Sequence, residues 1–372
     1  MNVSCLLALT CLLAAGGVQA QDSTLYGVMD AGVERVSQVA SAGGSITRMP
    51  SFTGLVPSRV GVRGKENLGA GLSAIYTLEL ALFPDSGALA QGGRLFGRQS
   101  MVGLSTAWGD VTLGRQPTML LWSLLESYFV GPGIYGIGSM DFYAANARVD
   151  NSVAFKGRFG GFTVGATYSL GRDTVNAGPS PAGMNCAGES GADAQACREW
   201  SAMLKYDAPT WGTSVGYDAL NGRSLVNAAD GVLPAGLVSS DKTDARLSVN
   251  GYVNLAGVKV GGGVIRRHNE GDAWRGRSDL WYLNAAYPLS PVWTLDGTLA
   301  SLRYPSFENS DASLVAVRTL YKLSARTTVY AQVAGIRNAS LSNLSVSAGA
   351  PGSNPVLGGS QTGSMLGVKH TF

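Results

Sequence analysis

Apolar and polar residues take turns along almost all of this chain beyond position 21. In "DARLSVNGYVN", Ala245, Leu247, Val249, Gly251 and Val253 share one face, and Arg246, Ser248, Asn250, Tyr252 and Asn254 share the other. "LVAVRTLYKL" sets Val315, Val317, Tyr321 and Leu323 against Arg318 and Lys322, and "TVYAQVAG" sets Val329, Ala331 and Val333 against Tyr330 and Gln332. A period of two predicts strands. A half-buried soluble sheet also alternates. Here, however, the pattern fills the chain, the runs reach about ten residues, and no helical segment is available to cover the apolar faces. A weak, repeated, apolar-out and polar-in signal of this kind is that of a transmembrane β-barrel.

The connections between the runs fall into two kinds. Tight turns rich in Gly, Pro, Asn or Ser are expected at Asn67–Gly71, Ala107–Asp110, Arg158–Gly161, Pro209–Gly212, Asn254–Gly257, Pro288–Pro291 and Leu323–Arg326. Longer stretches lie near 36–56, 82–93, 117–146, 171–197, 221–241, 267–277, 304–311 and 337–361. Seven turns and eight loops join sixteen strands, an even count with short turns at one end and long loops at the other. The chain then stops on Phe372, the last residue of "MLGVKHTF". A barrel loses its free edges when its last strand pairs with its first. "STLYGVMDAGV" offers matching alternation, with Leu25, Gly27 and Met29 outward and Tyr26, Val28 and Asp30 inward. Phe372 is then expected at a membrane interface, where aromatic girdles belong.

Composition narrows the choice. Charged residues are 14% of the 372 and glycine supplies 51 of them, against about 25% and 7% in soluble proteins. A net charge of +3 without a basic cluster gives no support for nucleic-acid binding. Residues 1–20, "MNVSCLLALTCLLAAGGVQA", read as a secretory signal with an apolar core from Leu6 to Ala15 and cleavage after Ala20, although no Lys or Arg precedes the core. Residues 21–372 are then one barrel domain. Cys186 and Cys197 remain after cleavage, and an exported chain favours one disulfide between them, with a free pair as the alternative. His268 and His370 lack ligand-like neighbours, so no metal and no cofactor is expected. Neither histidine accompanies a Gly-x-Ser-x-Gly elbow, which argues against an enzyme and leaves no catalytic residue to name. A surface adhesin or receptor has no positive sign in the Gly-, Ser- and Ala-rich loops.

A sixteen-stranded barrel is wide enough for water, and fixed charges at a narrowing sort ions. In "SRVGVRGKE", Arg59, Arg63 and Lys65 alternate with Val60 and Val62. A cation facing lipid costs roughly 2–4 kcal/mol at the midplane, which places the three in the lumen. By the same reasoning Arg148, Asp150, Ser152 and Lys156 oppose Val149, Val153 and Phe155, with Arg148 and Lys156 facing water. Arg98 falls with Ser100, Val102 and Leu104 on the outward face unless a bulge at Gly97 re-aims it. Arg115 ends its strand and supports the root of the third loop. Within that loop, Leu120, Leu121, Leu124, Leu125 and Tyr128 have helical spacing, read as a short helix on the inner wall or as a solute track.

Six stretches carry a family likeness: "TLYGVMDAGV", "SRVGVRGKENLGAGLSAIYTLEL", "RLFGRQSMVGLSTAWGDVTLGRQ", "RVDNSVAFKG", "GGFTVGATYSLG" and "GVKHTF". On these the chain resembles the Gram-negative general diffusion porins of the betaproteobacterial branch. The resemblance implies an outer-membrane, sixteen-stranded homotrimeric barrel with its third loop folded into the lumen, passing small hydrophilic solutes and ions. It also implies an arginine ladder of Arg59, Arg98 and Arg148 across from the third loop. Arg63, Arg115 and Lys156, read from their places on the strands, are counted with them as constriction cations. The acidic-aromatic "PEFFG"-like motif of the family's third loop is absent, and that loop is unusually apolar here. Its acids, Glu126 and Asp141, are expected to face the ladder, and the excess of cations implies mild anion preference. A channel specific for small organic acids or sugars is the alternative.

Overall fold

The computed structural model describes residues 22–51, 54–172, 186, 188–224, 236–347 and 352–372. The expected signal segment 1–20 lies outside them. Among the described residues one antiparallel sheet of 17 strands closes on itself. Sixteen strands make the wall: β1 Asp22–Val39, β2 Arg59–Gly69, β3 Leu72–Ala81, β4 Gln99–Thr106, β5 Gly109–Pro117, β6 Arg148–Phe159, β7 Phe162–Ser169 and β8 Glu199–Asp207, then β9 Trp211–Asn221, β10 Thr243–Leu255, β11 Val258–Asn269, β12 Arg277–Pro288, β13 Trp293–Arg303, β14 Ala312–Lys322, β15 Thr327–Asn338 and β16 Gln361–Thr371. Each pairs with its neighbours in sequence, and the tight turns and long loops alternate between the two ends as the sequence implies.

The seam joins the first strand to the last. β1 pairs with β16 from Val28↔Thr371 to Val36↔Gly363, and with β2 from Asp22↔Lys65 to Val28↔Arg59. Phe372 continues this ladder: its N–H donates to the carbonyl of Gly27 at 3.1 Å, and the Gly27 N–H donates back at 2.9 Å. Its ring lies over Gly27, where any Cβ would collide with it. The far half of β1 outruns β2, and its unpaired edge takes up an additional strand, Gly44–Arg48, inside the first long loop. That strand is not evident in the sequence pattern. It satisfies backbone groups that β2 cannot reach.

Outward residues form an apolar band between two aromatic belts. Leu204, Val215, Val249, Leu283, Leu299 and Val315 are exposed across the middle. At the turn end lie Phe162, Tyr206 and Trp211, with ring centroids 4.8 and 5.5 Å apart. At the loop end Trp200 and Tyr217 pack 4.7 Å apart. Aromatic belts flanking an apolar band mark a wall built to face lipid. No helix among the described residues is long and apolar enough to cross a membrane. In the fourth long loop, Cys186 and Cys197 form the expected disulfide.

The third long connection, between β5 and β6, turns into the barrel. It opens with a short helix, α1 (Met119–Leu124), whose Met119, Leu120, Ser123 and Leu124 are buried. This is the wall-packed helix of the two sequence readings. Its seat is a row of directly opposed inward residues: Lys156, Gly165, Met203, Gly216, Ser248 and Ile265. Gly165 lets Met119 approach the wall and Gly216 lets Ser123 approach it. Lys156 caps the row, its Nζ 3.5 Å from the centroid of the Trp122 ring. Further along, a Cβ on Gly261 would fall against the carbonyl of Ser127 and the ring of Phe129. The Gly261→Ala variant is therefore expected to push the loop off its seat and change single-channel conductance, measured in planar bilayers.

Candidate functional site

Where the third loop narrows the lumen, it meets charges from β2, β3 and the strand roots. Arg59 lies inward beside Gly61, which faces the Tyr26 ring. Glu79, on β3, is the hub: Arg98 Nε lies 2.6 Å from one oxygen, Arg59 Nε 3.6 Å from the other, and the Tyr26 hydroxyl donates to it at 2.9 Å. Arg148 Nε donates to the Arg98 carbonyl at 3.1 Å, and its guanidinium also bonds Asn146. Arg98 and Arg148 line a recess whose other walls are Leu121, Leu124, Leu125 and Tyr128 of the third loop, with Pro57 and Pro132. Two guanidiniums thus hold one carboxylate, with a third, that of Arg148, beside them, opposite an aliphatic surface.

Residues 6–340 match the family described as Gram-negative porin. This chain belongs to the Gram-negative porin family. It is an outer-membrane porin, a passive diffusion channel. It is 27% identical to outer membrane porin protein 32 of Delftia acidovorans over 99% of both chains. It is 30% identical to an outer membrane porin protein of Bordetella pertussis over 74% of this chain and 69% of that one. The structure of an anion-selective porin from Comamonas acidovorans superposes with a TM-score of 0.75 at 24% identity, covering 95% of this chain and 100% of that one. At that identity the match speaks for the fold.

The porin's strand parities account for some of the candidate cations and local irregularities for the others. Arg98 stands one residue before β4 begins, so alternation no longer governs it, and its side chain turns to Glu79 without a bulge at Gly97 being needed. A register shift separates Gly114↔Ser152 from Gln116↔Val149, and Asn151 has a left-handed backbone at φ 47°. Arg148 and Asp150 are therefore out of phase with Ser152 and Lys156, not on one face with them. Asp150 instead pairs with Arg115, whose Nε also donates to the Gly97 carbonyl at 2.6 Å. Arg115 thus ties the root of the third loop to the second loop and does not point across the opening. Arg63 and Lys65 are inward but lie toward the turn end, Arg63 over the Tyr26 ring at 5.3 Å. At about 3.3 Å per residue, Lys65 is about 20 Å beyond Arg59 along β2. Lys156 serves the seat of α1.

The loop acids do not face the ladder. Glu126 pairs with Lys259 at 3.1 Å. Asp141 is held by Arg246 at 2.7 Å, and Arg246 in turn contacts Asp244 at 3.1 Å. Burial would raise the Asp141 carboxyl, but the guanidiniums of Arg246 and Arg267 and the Ala144 N–H outweigh it and hold it below the usual carboxylate range. The rest of the loop is fastened by groups that alternation alone did not single out. The Ser127 hydroxyl lies 2.7 Å from the Tyr282 hydroxyl, Tyr135 donates to Glu34 at 3.2 Å, and Tyr143 donates to Glu199 at 2.8 Å. Glu34 also accepts from Arg48 and Ser347, joining the first, third and eighth loops. Asp30 accepts from the N–H groups of Leu55 and Val56 and from the Tyr330 hydroxyl, which pins the end of the first loop beside the constriction. Among the described residues no group of three or more metal-binding side chains occurs.

Proposed function

We propose that this porin is anion-preferring and works as a homotrimer, with Arg59, Arg98 and Arg148 setting the selectivity. The observation that carries the reading is the local charge balance. Three guanidiniums against Glu79 leave two positive charges in excess at the narrowing, while Glu126 and Asp141 are neutralised elsewhere. A ring of fixed charge at a constriction favours the opposite sign. The porin of Comamonas acidovorans that shares this fold is anion-selective, which agrees with this sign. Zero-current potentials in a KCl gradient test it: the expected sign is that of chloride preference, and clear potassium preference would overturn the proposal. Stepwise closure of single channels in threes tests the trimer.

A second reading has one observation in its favour. Leu121, Leu124 and Leu125 face Arg98 and Arg148 across the same recess. An apolar wall opposite guanidiniums suits small organic acids better than inorganic ions, as in a substrate-specific channel. Liposome swelling separates the two readings. Uptake that saturates for organic acids supports specificity, and uptake ranked by size and charge supports a general pore.

A further inference from the structure

Beneath the end of the third loop lies a buried cluster of charged groups whose charges do not balance. Tyr143 donates its hydroxyl to Glu199 Oε1 at 2.8 Å and lies 3.1 Å from each carboxyl oxygen of Asp218. Glu199 begins β8 and Asp218 lies on β9, and both are buried. A tyrosine has one proton to donate. It cannot satisfy two ionised carboxylates, and a buried charge without a partner is costly.

The neighbouring cations do not make up the difference. Among the described residues, Arg172 is the one guanidinium within ion-pair distance of either carboxyl, 3.3 Å from Glu199. Its Nη1 also donates to the Cys197 carbonyl at 3.1 Å, which fixes it at the fourth loop. Arg246 lies over the Tyr143 ring at 4.5 Å, but its hydrogen bonds go to Asp141 and Asp244. Arg267 is bound to Asp244 at 2.7 Å, and Asp150 is paired with Arg115. Arg223, buried beyond β9, has a partner of its own. Three guanidiniums, Arg172, Arg246 and Arg267, therefore face four carboxyls, Glu199, Asp218, Asp141 and Asp244. The shortfall is one positive charge.

We propose that Glu199 and Asp218 hold one proton between them and, with Tyr143, act as positioning residues that latch the third loop to the wall. Two carboxyls in one dry site share a proton because they do not both ionise. With it, the pair carries a single negative charge, which Arg172 balances. Without it, Tyr143 is left with one proton between two negative groups, and the latch opens. The opening reaches the ladder through Asn146. The Asn146 N–H donates to the Tyr143 carbonyl at 2.8 Å, and the Asn146 carbonyl accepts from Arg148 at 2.9 Å. Loss of the shared proton as pH rises therefore loosens the segment that seats Arg148.

Infrared difference spectra of the porin in detergent are the test. At neutral pH the unaltered protein is expected to show the carbonyl band of one buried carboxylic acid that Asp218→Asn and Glu199→Gln each abolish, because either leaves a single carboxylate for Arg172. A band that survives either substitution would overturn the sharing. As pH rises the band should be lost, and single-channel current in planar bilayers should become noisy over the same range. Asp218→Asn has no such proton to lose and should stay quiet throughout; equal noise from it would count against the latch. Two further outcomes need no variant to fold. A band that persists for as long as the barrel stays folded, or a quiet channel after the band has gone, would each overturn the proposal. Conductance and noise report the loop's position whichever ion the channel prefers, so these results stand apart from the reading of its selectivity.

Discussion

Replacing Arg59 and Arg98 together by alanine is expected to bring the zero-current potential in a salt gradient close to zero. In the unaltered porin, Arg59 and Arg98 hold Glu79 and Arg148 stands beside them on the Arg98 carbonyl, leaving two positive charges in excess. Removing two leaves Arg148 against Glu79, with no excess. At physiological ionic strength a fixed charge is felt over about 8 Å, so groups lining a narrow opening act on the whole of it. Lys65 supplies the control. It lies six residues along β2 from Arg59, about 20 Å at strand spacing, and so beyond that screening length. Lys65→Ala should therefore change the potential little. If Lys65→Ala and the double variant shifted it equally, selectivity would belong to the general charge of the lumen and not to the ladder.

The second large effect is expected from Arg246→Ala. Arg246 is buried and binds both Asp141 of the third loop and Asp244 of the wall. Its loss strands the Asp141 carboxylate, left with the Ala144 N–H, whereas Asp244 keeps Arg267 at 2.7 Å; removing one partner of a buried pair typically costs about 3–5 kcal/mol. The loop end around Asp141 and Tyr143 should leave the wall. Noisy single-channel current and a lower unfolding temperature in detergent are the readouts; a quiet channel of normal stability would count against the anchor. The same pair fixes the acid response. Because the Asp141 carboxyl is depressed in the folded protein, its contribution is fully present above the ordinary carboxylate value of about 3.9. It is lost only as pH falls through the depressed folded value. Conductance should stay steady from neutral pH down to about 5, with current noise emerging only in stronger acid.

The wall was legible in the sequence because lipid and water impose opposite demands on neighbouring residues. Leu25, Met29 and Val33 are exposed where Asp30 and Glu34 are buried, as a period of two requires. The site was legible only where a strand stays regular. Arg59 and Lys156 follow parity. Arg98 escapes it by standing one residue outside β4, and Arg148 because the irregularity at Asn151 shifts the phase. Glu79 was within reach: the cost of a charge in lipid, applied to "TLEL" as it was to "SRVGVRGKE", would have turned it inward. The fate of Asp141 was not. Its partner Arg246 is 105 residues away, and nothing local announces the pair.

The platform beneath α1 takes one residue from each of β6, β7, β8, β9, β10 and β11. No single hairpin contains enough of it to hold the loop. Contacts between distant segments become favourable only after the intervening chain has been ordered. The order of assembly follows: six neighbouring strands, more than a third of the cylinder, must zip before its plug has anywhere to rest. A barrel caught early in insertion would be an unguarded hole, and the filter is among the last parts to mature.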